Sequence, residues 1–384
     1  MNNLKRKITV TTGTRSEYGI LRPLLNEIKK SKKLDLHLIV AGMHLSKKHG
    51  STINEIIKDG FKISAKIKMI PLGNTNYHMS LALGNGIIQF SKFFKLIKPD
   101  INVILGDRDE AFASAIAAFH MNIPNAHIHG GDKSQAGIDE YIRHAITKIS
   151  NIHFVGTKKS RDRVIKMGEN PKYVHLTGSP SVDELRNNIT SKNELEKKYD
   201  ITFIGDEILL LQHPLTTQSK NSKNEIRETL RSIKLLNKLT IAILPNSDAG
   251  HQEIYNDLLK FSKENSFFEL FPSVPRADYL GFLKNCSVLV GNSSSGIVEG
   301  SYFNTPVIDI GIRQNNREKG DNVIVVPNSY SKIHRAISKG LWLKKNKKFK
   351  NKFIYGRGGA SKKILKQLEL VKLDKKLIQK QIYY

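Results

Sequence analysis

Ile101-Asn102-Val103-Ile104-Leu105, followed at once by Gly106-Asp107-Arg108-Asp109-Glu110, is the stretch on which the fold turns. Its first five residues are mostly apolar and lack polar alternation, as in a strand covered on both faces. A glycine and charged residues then lead into a helical pattern over Glu110–His120. Strand, loop and helix in that order form the unit of a parallel sheet with helices on its faces.

The unit repeats in both directions. β-Branched runs stand at Lys7–Gly13, Leu34–Gly42, Asn125–Gly131, Ile152–Thr157 and Tyr173–Gly178. Amphipathic spacing lies between them at Ile20–Lys30, Thr52–Asp59, Leu81–Ile97, Glu140–Ser150 and Lys159–Met167. A polar stretch, Asp183 through Asn187–Lys198, interrupts the pattern. The alternation restarts with strands at Glu207–Gln212, Thr240–Leu244, Phe268–Phe271, Ser287–Gly291, Pro306–Gly311 and Asn322–Val326, and its last helix is Lys332–Leu341. The pattern predicts an α/β chain of two doubly wound domains, 1–180 and 181–355, with a final segment 356–384. That segment reads as a basic amphipathic helix over Ala360–Tyr384, with Ile364, Leu365, Leu368 and Leu370 available for docking. Two such sheets leave a cleft at the carboxyl ends of their strands, where loops and helix N-termini converge.

Composition narrows the function classes. Against 62 Lys and Arg stand 35 Asp and Glu, a formal charge of +27 over 384 residues. The lysines are scattered along helices, without zinc-finger spacing, an aromatic RNP strand or a basic region with heptads. That pattern favours a solvated surface, or mild steering of an anion, over nucleic-acid binding. A single cysteine, Cys286, excludes an internal disulfide and a cysteine-based metal site. The apolar stretch after the N-terminal basic residues is too short for a signal-peptide core, and no run approaches a membrane span. The expectation is a soluble cytoplasmic protein.

The loops after the strands carry the unusual residues. Thr12-Gly13-Thr14-Arg15-Ser16-Glu17-Tyr18-Gly19 lacks the GxGxxG fingerprint of a dinucleotide-binding dehydrogenase. It places Arg15 and small hydroxyls at a helix start, a seat for phosphate as much as an ordinary cap. Asp107 reads both as a cap and as a carboxylate beside apolar walls suited to acid or base duty. In His127-Ile128-His129-Gly130-Gly131-Asp132 and Asp139-Glu140-Tyr141-Ile142-Arg143-His144, histidines and carboxylates gather near one strand end. Acid/base chemistry, a metal pair and plain hydrogen-bonded packing all remain open there.

Further on, Gln212-His213-Pro214 sets a histidine at the cleft, and Pro245-Asn246 follows the next strand. Gly291-Asn292-Ser293-Ser294-Ser295-Gly296 is a Ser/Gly loop entering a helix, which aims N–H groups and hydroxyls at a diphosphate. Glu299, a turn later, offers two oxygens to two ribose hydroxyls. Arg313 and Arg317 add cations.

Taken in order, these motifs resemble the UDP-N-acetylglucosamine 2-epimerase family, nearest its hydrolysing branch in sialic-acid-type pathways. The matching stretches are Thr12–Tyr18, Ala41–Ser46, Gly106–Arg108, Gly130–Asp132, Ile138-Asp139, Arg143–Ile146, His213-Pro214, Pro245-Asn246, Gly291–Ser294, Glu299, Gly311–Gln314 and Tyr355–Ser361. The His-x-Glu-Ala-Gly-Leu-Arg loop typical of the non-hydrolysing branch is absent. The resemblance implies a GT-B-like pair of Rossmann domains, a C-terminal helix crossing back to the first, and a homodimer or homotetramer. It implies elimination of UDP to a glycal, then hydration with C2 inverted, releasing N-acetylmannosamine from UDP-N-acetylglucosamine. The same reaction on a UDP- or GDP-linked diacetamido sugar of a legionaminic-type pathway, or a GT-B glycosyltransferase, is the alternative.

The candidate catalytic residues are Asp107, His129, Asp132, Asp139, Glu140 and His213. The candidate substrate contacts are Arg15, Gly19, Arg108, Arg143, His213, Asn246, Ser293, Ser294, Glu299 and Arg313. No metal, cofactor, nucleic acid or membrane is expected as a partner, only a UDP- or GDP-sugar. Two departures stand out: His129 where some relatives have Glu, and Gly19 where some place a hydroxyl. An imidazole still moves protons near neutral pH.

Overall fold

The structure, a computed structural model, describes residues 5–46, 51–70, 73, 75–135, 137–185, 189–246, 248–346 and 352–384. The first half contains β1 (Arg6–Thr12), α1 (Arg15–Lys30), β2 (Leu34–Ala41), α2 (Ile53–Lys58), β3 (Ile63–Ile67), α3 (Asn76–Ile97) and β4 (Ile101–Leu105). It continues through α4 (Asp109–His120), β5 (Asn125–Ile128), α5 (Ile138–Lys148), β6 (Ile152–Val155), α6 (Lys158–Lys166) and β7 (Val174–Leu176). After α7 (Lys192–Tyr199) come β8 (Ile208–Leu211), α8 (Ser222–Leu236), β9 (Thr240–Ile243), α9 (His251–Glu264), β10 (Phe268–Phe271) and α10 (Arg276–Asn285). The second half closes with β11 (Val288–Gly291), α11 (Ser294–Val298), β12 (Val307–Ile310), β13 (Val323–Val326) and α12 (Tyr330–Lys345); α13 (Ala360–Leu370) and α14 (Lys375–Ile378) follow.

Every strand pairing among the described residues is parallel. The first sheet runs β3-β2-β1-β4-β5-β6-β7 and the second β10-β9-β8-β11-β12-β13. Both reverse strand order at the same place, between β1 and β4 and between β8 and β11, and open α/β sheets bind ligands at such points. β4 is buried along its whole length, helices covering both faces. Its one polar residue, Asn102, is satisfied sideways: it accepts from Thr9 at 3.0 Å and donates to Ser114 and Asn125, each at 3.0 Å. A buried amide so partnered fixes register without an unmet polar group.

Several elements depart from the sequence pattern. α1 starts at Arg15 rather than Ile20, because Thr14 and Glu17 form a reciprocal capping box. β3, short and half-buried, lies at the sheet edge where hydrophobic pattern is weak. The polar stretch before β8 contains α7, which buries Leu195 and is opened by a second capping box, Ser191 with Glu194. The C-terminal segment is not one helix: α13 ends at Leu370 and α14 is a separate turn. Ile364 and Leu368 enter the first core with Leu365 beside them, whereas Leu370 is exposed on the opposite face and Leu377 is buried in its stead. Ser31 donates to Glu369 at 2.6 Å and Arg6 to the carbonyl of Val371 at 3.0 Å, tying this segment to the first half. Among the described residues no helix is long and apolar enough to cross a membrane.

Candidate functional site

A cavity of about 370 Å³ lies between the halves, walled by the loops after β1, β4, β5, β8, β9 and β11. The two topological reversal points therefore face each other across it.

Its first-half wall is built of carboxyls and their partners. Asp107, just past β4, accepts from the Arg143 guanidinium of α5. Burial opposes ionisation of Asp107, but Arg143, with Arg317 and Arg313 behind it, holds its carboxyl below the usual range. Asp139, in the first turn of α5, is the reverse case. Burial and the neighbouring charge of Asp107 push it up to about 7, against the pull of Arg313, whose Nη2 lies 3.3 Å away. The two carboxyls thus shift in opposite directions because Arg143 and the arginines behind it outweigh burial at Asp107, whereas burial and the charge of Asp107 outweigh Arg313 at Asp139.

His129 follows β5 with φ +64°, a left-handed conformation that costs a non-glycine residue ~1–2 kcal/mol. The turn aims its ring at the cavity, where Nδ1 lies 3.1 Å from Asp132 and Nε2 2.8 Å from the Ser179 hydroxyl. Asp132 also accepts from Ser160 at 2.7 Å; burial would raise it, but the His129 bond and Arg317 hold it far below the usual range. His127 does not join its neighbour. It is fully buried, with Nε2 2.7 Å from the Gly106 carbonyl, and burial keeps it neutral by lowering it to about 3. The two histidines make no metal pair. Among the described residues no three His, Cys, Asp or Glu side chains converge as a ligand set.

The second-half wall carries hydroxyls, amides and cations. His213 lines it, lowered to about 3 by burial and the charge of Arg313; its ring accepts from the Asn246 N–H at 3.4 Å. Ser293 caps α11, and Ser294 and Ser295 stand beside it on the wall. Cations cross between the halves: Arg108 reaches Asp248 at 3.1 Å, and Arg15, paired with Glu55 at 3.0 Å, donates to Ser273 at 2.6 Å.

Three candidates fall differently from expectation. Gly19 is not on the wall: a Cβ there would meet Arg276 Cδ at 2.7 Å, so the glycine makes room for that guanidinium. Glu140 stands behind Arg143, bonded to it, to the Ser134 N–H at 2.7 Å and to His144 at 3.0 Å. Its geometry is that of a bracket, and it is corrected from a cavity group to a support. Glu299 is a wall residue, but Arg276 occupies Oε1, leaving only Oε2 without a protein partner among the described residues. It has one oxygen to offer, not two. Arg276 and Ser179 were not singled out from the sequence. The Pro275-Arg276 step before an apolar helix, and the serine after Gly178, were the faint signals.

The chain matches the family model described as UDP-N-acetylglucosamine 2-epimerase over residues 26–369. It is 36% identical over 378 residues to the UDP-N,N'-diacetylbacillosamine 2-epimerase (hydrolyzing) of Legionella pneumophila, covering 98% of each chain. It is 36% identical over 323 residues to the GDP/UDP-N,N'-diacetylbacillosamine 2-epimerase (hydrolyzing) of Campylobacter jejuni, covering 83% of this chain and 84% of that one. Its fold matches the crystal structure of UDP-GlcNAc 2-epimerase from Neisseria meningitidis bound to UDP-GlcNAc, with a TM-score of 0.79 at 18% identity over 94% of this chain and 99% of that one.

Proposed function

The chain belongs to the UDP-N-acetylglucosamine 2-epimerase family, and from that premise we propose that it is a hydrolysing 2-epimerase of a UDP-linked 2-acetamido sugar. UDP-N,N'-diacetylbacillosamine is the preferred substrate in this reading and UDP-N-acetylglucosamine the second. The end-to-end similarity to the Legionella enzyme supports that order, and the Campylobacter relative brings the GDP-linked sugar into the comparison.

The observation that carries the reading is the Asp107–Asp139 pair, two neighbouring carboxyls held in different ionisation states on the wall of a cleft. Removing a weakly acidic C2 proton calls for a base poised near neutral pH, and Asp139 at about 7 fits that duty. As the proton leaves C2, the C1–O bond breaks with its electrons passing to UDP, and a C1=C2 glycal forms. Asp107, ionised beside Arg143, supplies negative charge where C1 becomes electron-poor. Arg108, Arg313, Asn246 and the Ser293–Ser294 turn take the diphosphate and nucleotide, His213 remaining neutral beside them. Water then adds to C1 and a proton to the other face of C2, giving the free, inverted sugar.

An NMR time course with both UDP-sugars and the GDP-linked diacetamido sugar tests this. Nucleoside diphosphate and a free 2-epimer should appear together, fastest from the UDP-diacetamido sugar. If none of the three is consumed, the reading is wrong.

A further inference from the structure

Inversion at C2 requires that the returning proton arrive from the face opposite the one it left, so the base that removed it cannot also return it. A second proton-handling group is needed at the wall, and one line of hydrogen bonds ends there. Asp132 Oδ2 lies 3.1 Å from His129 Nδ1, and His129 Nε2 lies 2.8 Å from Ser179 Oγ. Ser179 Oγ is 2.8 Å from Ser181 Oγ, and both residues line the cavity. We propose that Asp132, His129 and Ser179 form a proton relay that returns a proton to C2 in the hydration half of the reaction. This rests on the elimination–hydration reading above.

The geometry fixes the order of the relay. A carboxylate only accepts hydrogen bonds, so Asp132 holds a proton on Nδ1 and leaves Nε2 to exchange with the hydroxyl. In the delivering state the imidazolium donates from Nε2 to Ser179 Oγ, and the Ser179 O–H points into the cavity. Its proton passes to C2 of the glycal as the Nε2 proton passes to Ser179. The C1=C2 electron pair forms the new C2–H bond, and water closes on C1 and loses a proton to solvent. His129 is then neutral and is reprotonated before the next turnover. Asp132 is a positioning residue in this scheme, since it acts only through the ring.

Two further observations favour a built device over a helix cap. Ser179 does open a short 3₁₀ turn, but its bond from the Ser181 N–H is long, at 3.3 Å. The strained φ at His129 is also what brings its ring to Ser179, with Tyr355 packed against it at 6.5 Å between centroids. Tyr355 belongs to the segment returning from the second half, and its carbonyl accepts from the Ser179 N–H at 2.9 Å. The relay is therefore clamped from both halves. Around it stand Arg317, 4.0 Å from Asp132, and Arg143, which donates to the Asp132 carbonyl at 3.1 Å.

The test follows UDP, glycal and free sugar separately by NMR with the full-length chain. Ser179→Ala should release UDP within about threefold of wild type while the glycal accumulates and free sugar falls about 100-fold. Ser179→Thr, which keeps the hydroxyl, should restore free sugar to within about tenfold of wild type. Asp132→Asn should also accumulate glycal, with KM unchanged. Free sugar formed by Ser179→Ala at the wild-type rate, with no glycal, overturns the relay while the reaction stands. A wild type that releases no nucleotide overturns the reaction and the relay with it. Should Ser179→Ala fail to fold, as judged by loss of the UDP-induced rise in Tm, the Thr and Asp132→Asn variants decide: equal loss of UDP and sugar in both overturns the proposal.

Discussion

The two halves share a strand order, a reversal point and a set of loops at the same strand ends, yet their walls are chemically unlike. The first presents titratable groups: Asp107, Asp139, His129 and Asp132. The second presents serines, Asn246, a neutral His213 and a Glu299 already paired with Arg276, and each of the two walls carries three described arginines. One topology therefore places the loops, and loop composition alone decides which wall moves protons and which holds charge. The division breaks down if a variant of Asp107, Asp139, His129 or Asp132 loses nucleotide affinity, or one of the second wall loses only proton transfer.

The largest effect is expected at the first wall. Asp107→Asn should lower kcat by about 10²–10³-fold, while the Kd for UDP by calorimetry stays within about threefold. A large loss of UDP binding would place Asp107 on the nucleotide side and dissolve the contrast. In the second half, Glu299→Ala strands the Arg276 guanidinium in a site where both partners are buried. Breaking such a pair should cost about 3–5 kcal/mol of stability, read as a fall in Tm with UDP absent. An unchanged Tm would mean that Arg276 is neutralised by Glu184, whose Oε2 lies 3.9 Å away. Arg313→Ala should weaken UDP binding by about 10–100-fold, the range of a charge-assisted hydrogen bond.

How much of this could be read from the sequence differs by region for a physical reason. β4 and the loop Gly106–Arg108 were legible because a strand buried on both faces has no polar alternation, and charge at its tip then stands out. α7 was hidden because only Leu195 of it is buried, leaving a solvated face that resembles linker. Arg276 was hidden because its role depends on a cavity made by a missing side chain at Gly19, 257 positions earlier, a relation no local pattern carries. Ser179 was hidden for a similar reason: its partner His129 is 50 residues away, and only the left-handed turn at His129 joins them. The +27 charge was conspicuous and of little use, since most described lysines lie outside the cavity wall and six of the described wall residues are arginines.

The contrast is sharpened most finely by pH, because Asp139 and Asp248 are shifted in opposite directions. Asp139 binds its proton more tightly folded than unfolded, so its contribution to stability is full at acid pH and is lost as pH rises through about 7. As a base it works only when deprotonated, so kcat/KM should climb tenfold per unit below about pH 7 and level off above it. Activity and stability therefore run against each other at this one residue. For Asp248, burial is outweighed by Arg108 and Arg313, which hold it below the usual range; its contribution is present at neutral pH and lost on acidification. Asp139→Asn should accordingly be inactive yet raise Tm at pH 8 by about 1 °C, a gain of ~1 kcal/mol. Asp248→Asn should lower it. Arg313→Ala, by removing the cation that opposes the shift of Asp139, should move the acid limb of kcat/KM to higher pH. A limb that stays in place would show that Asp139 is not the group whose ionisation the rate reports.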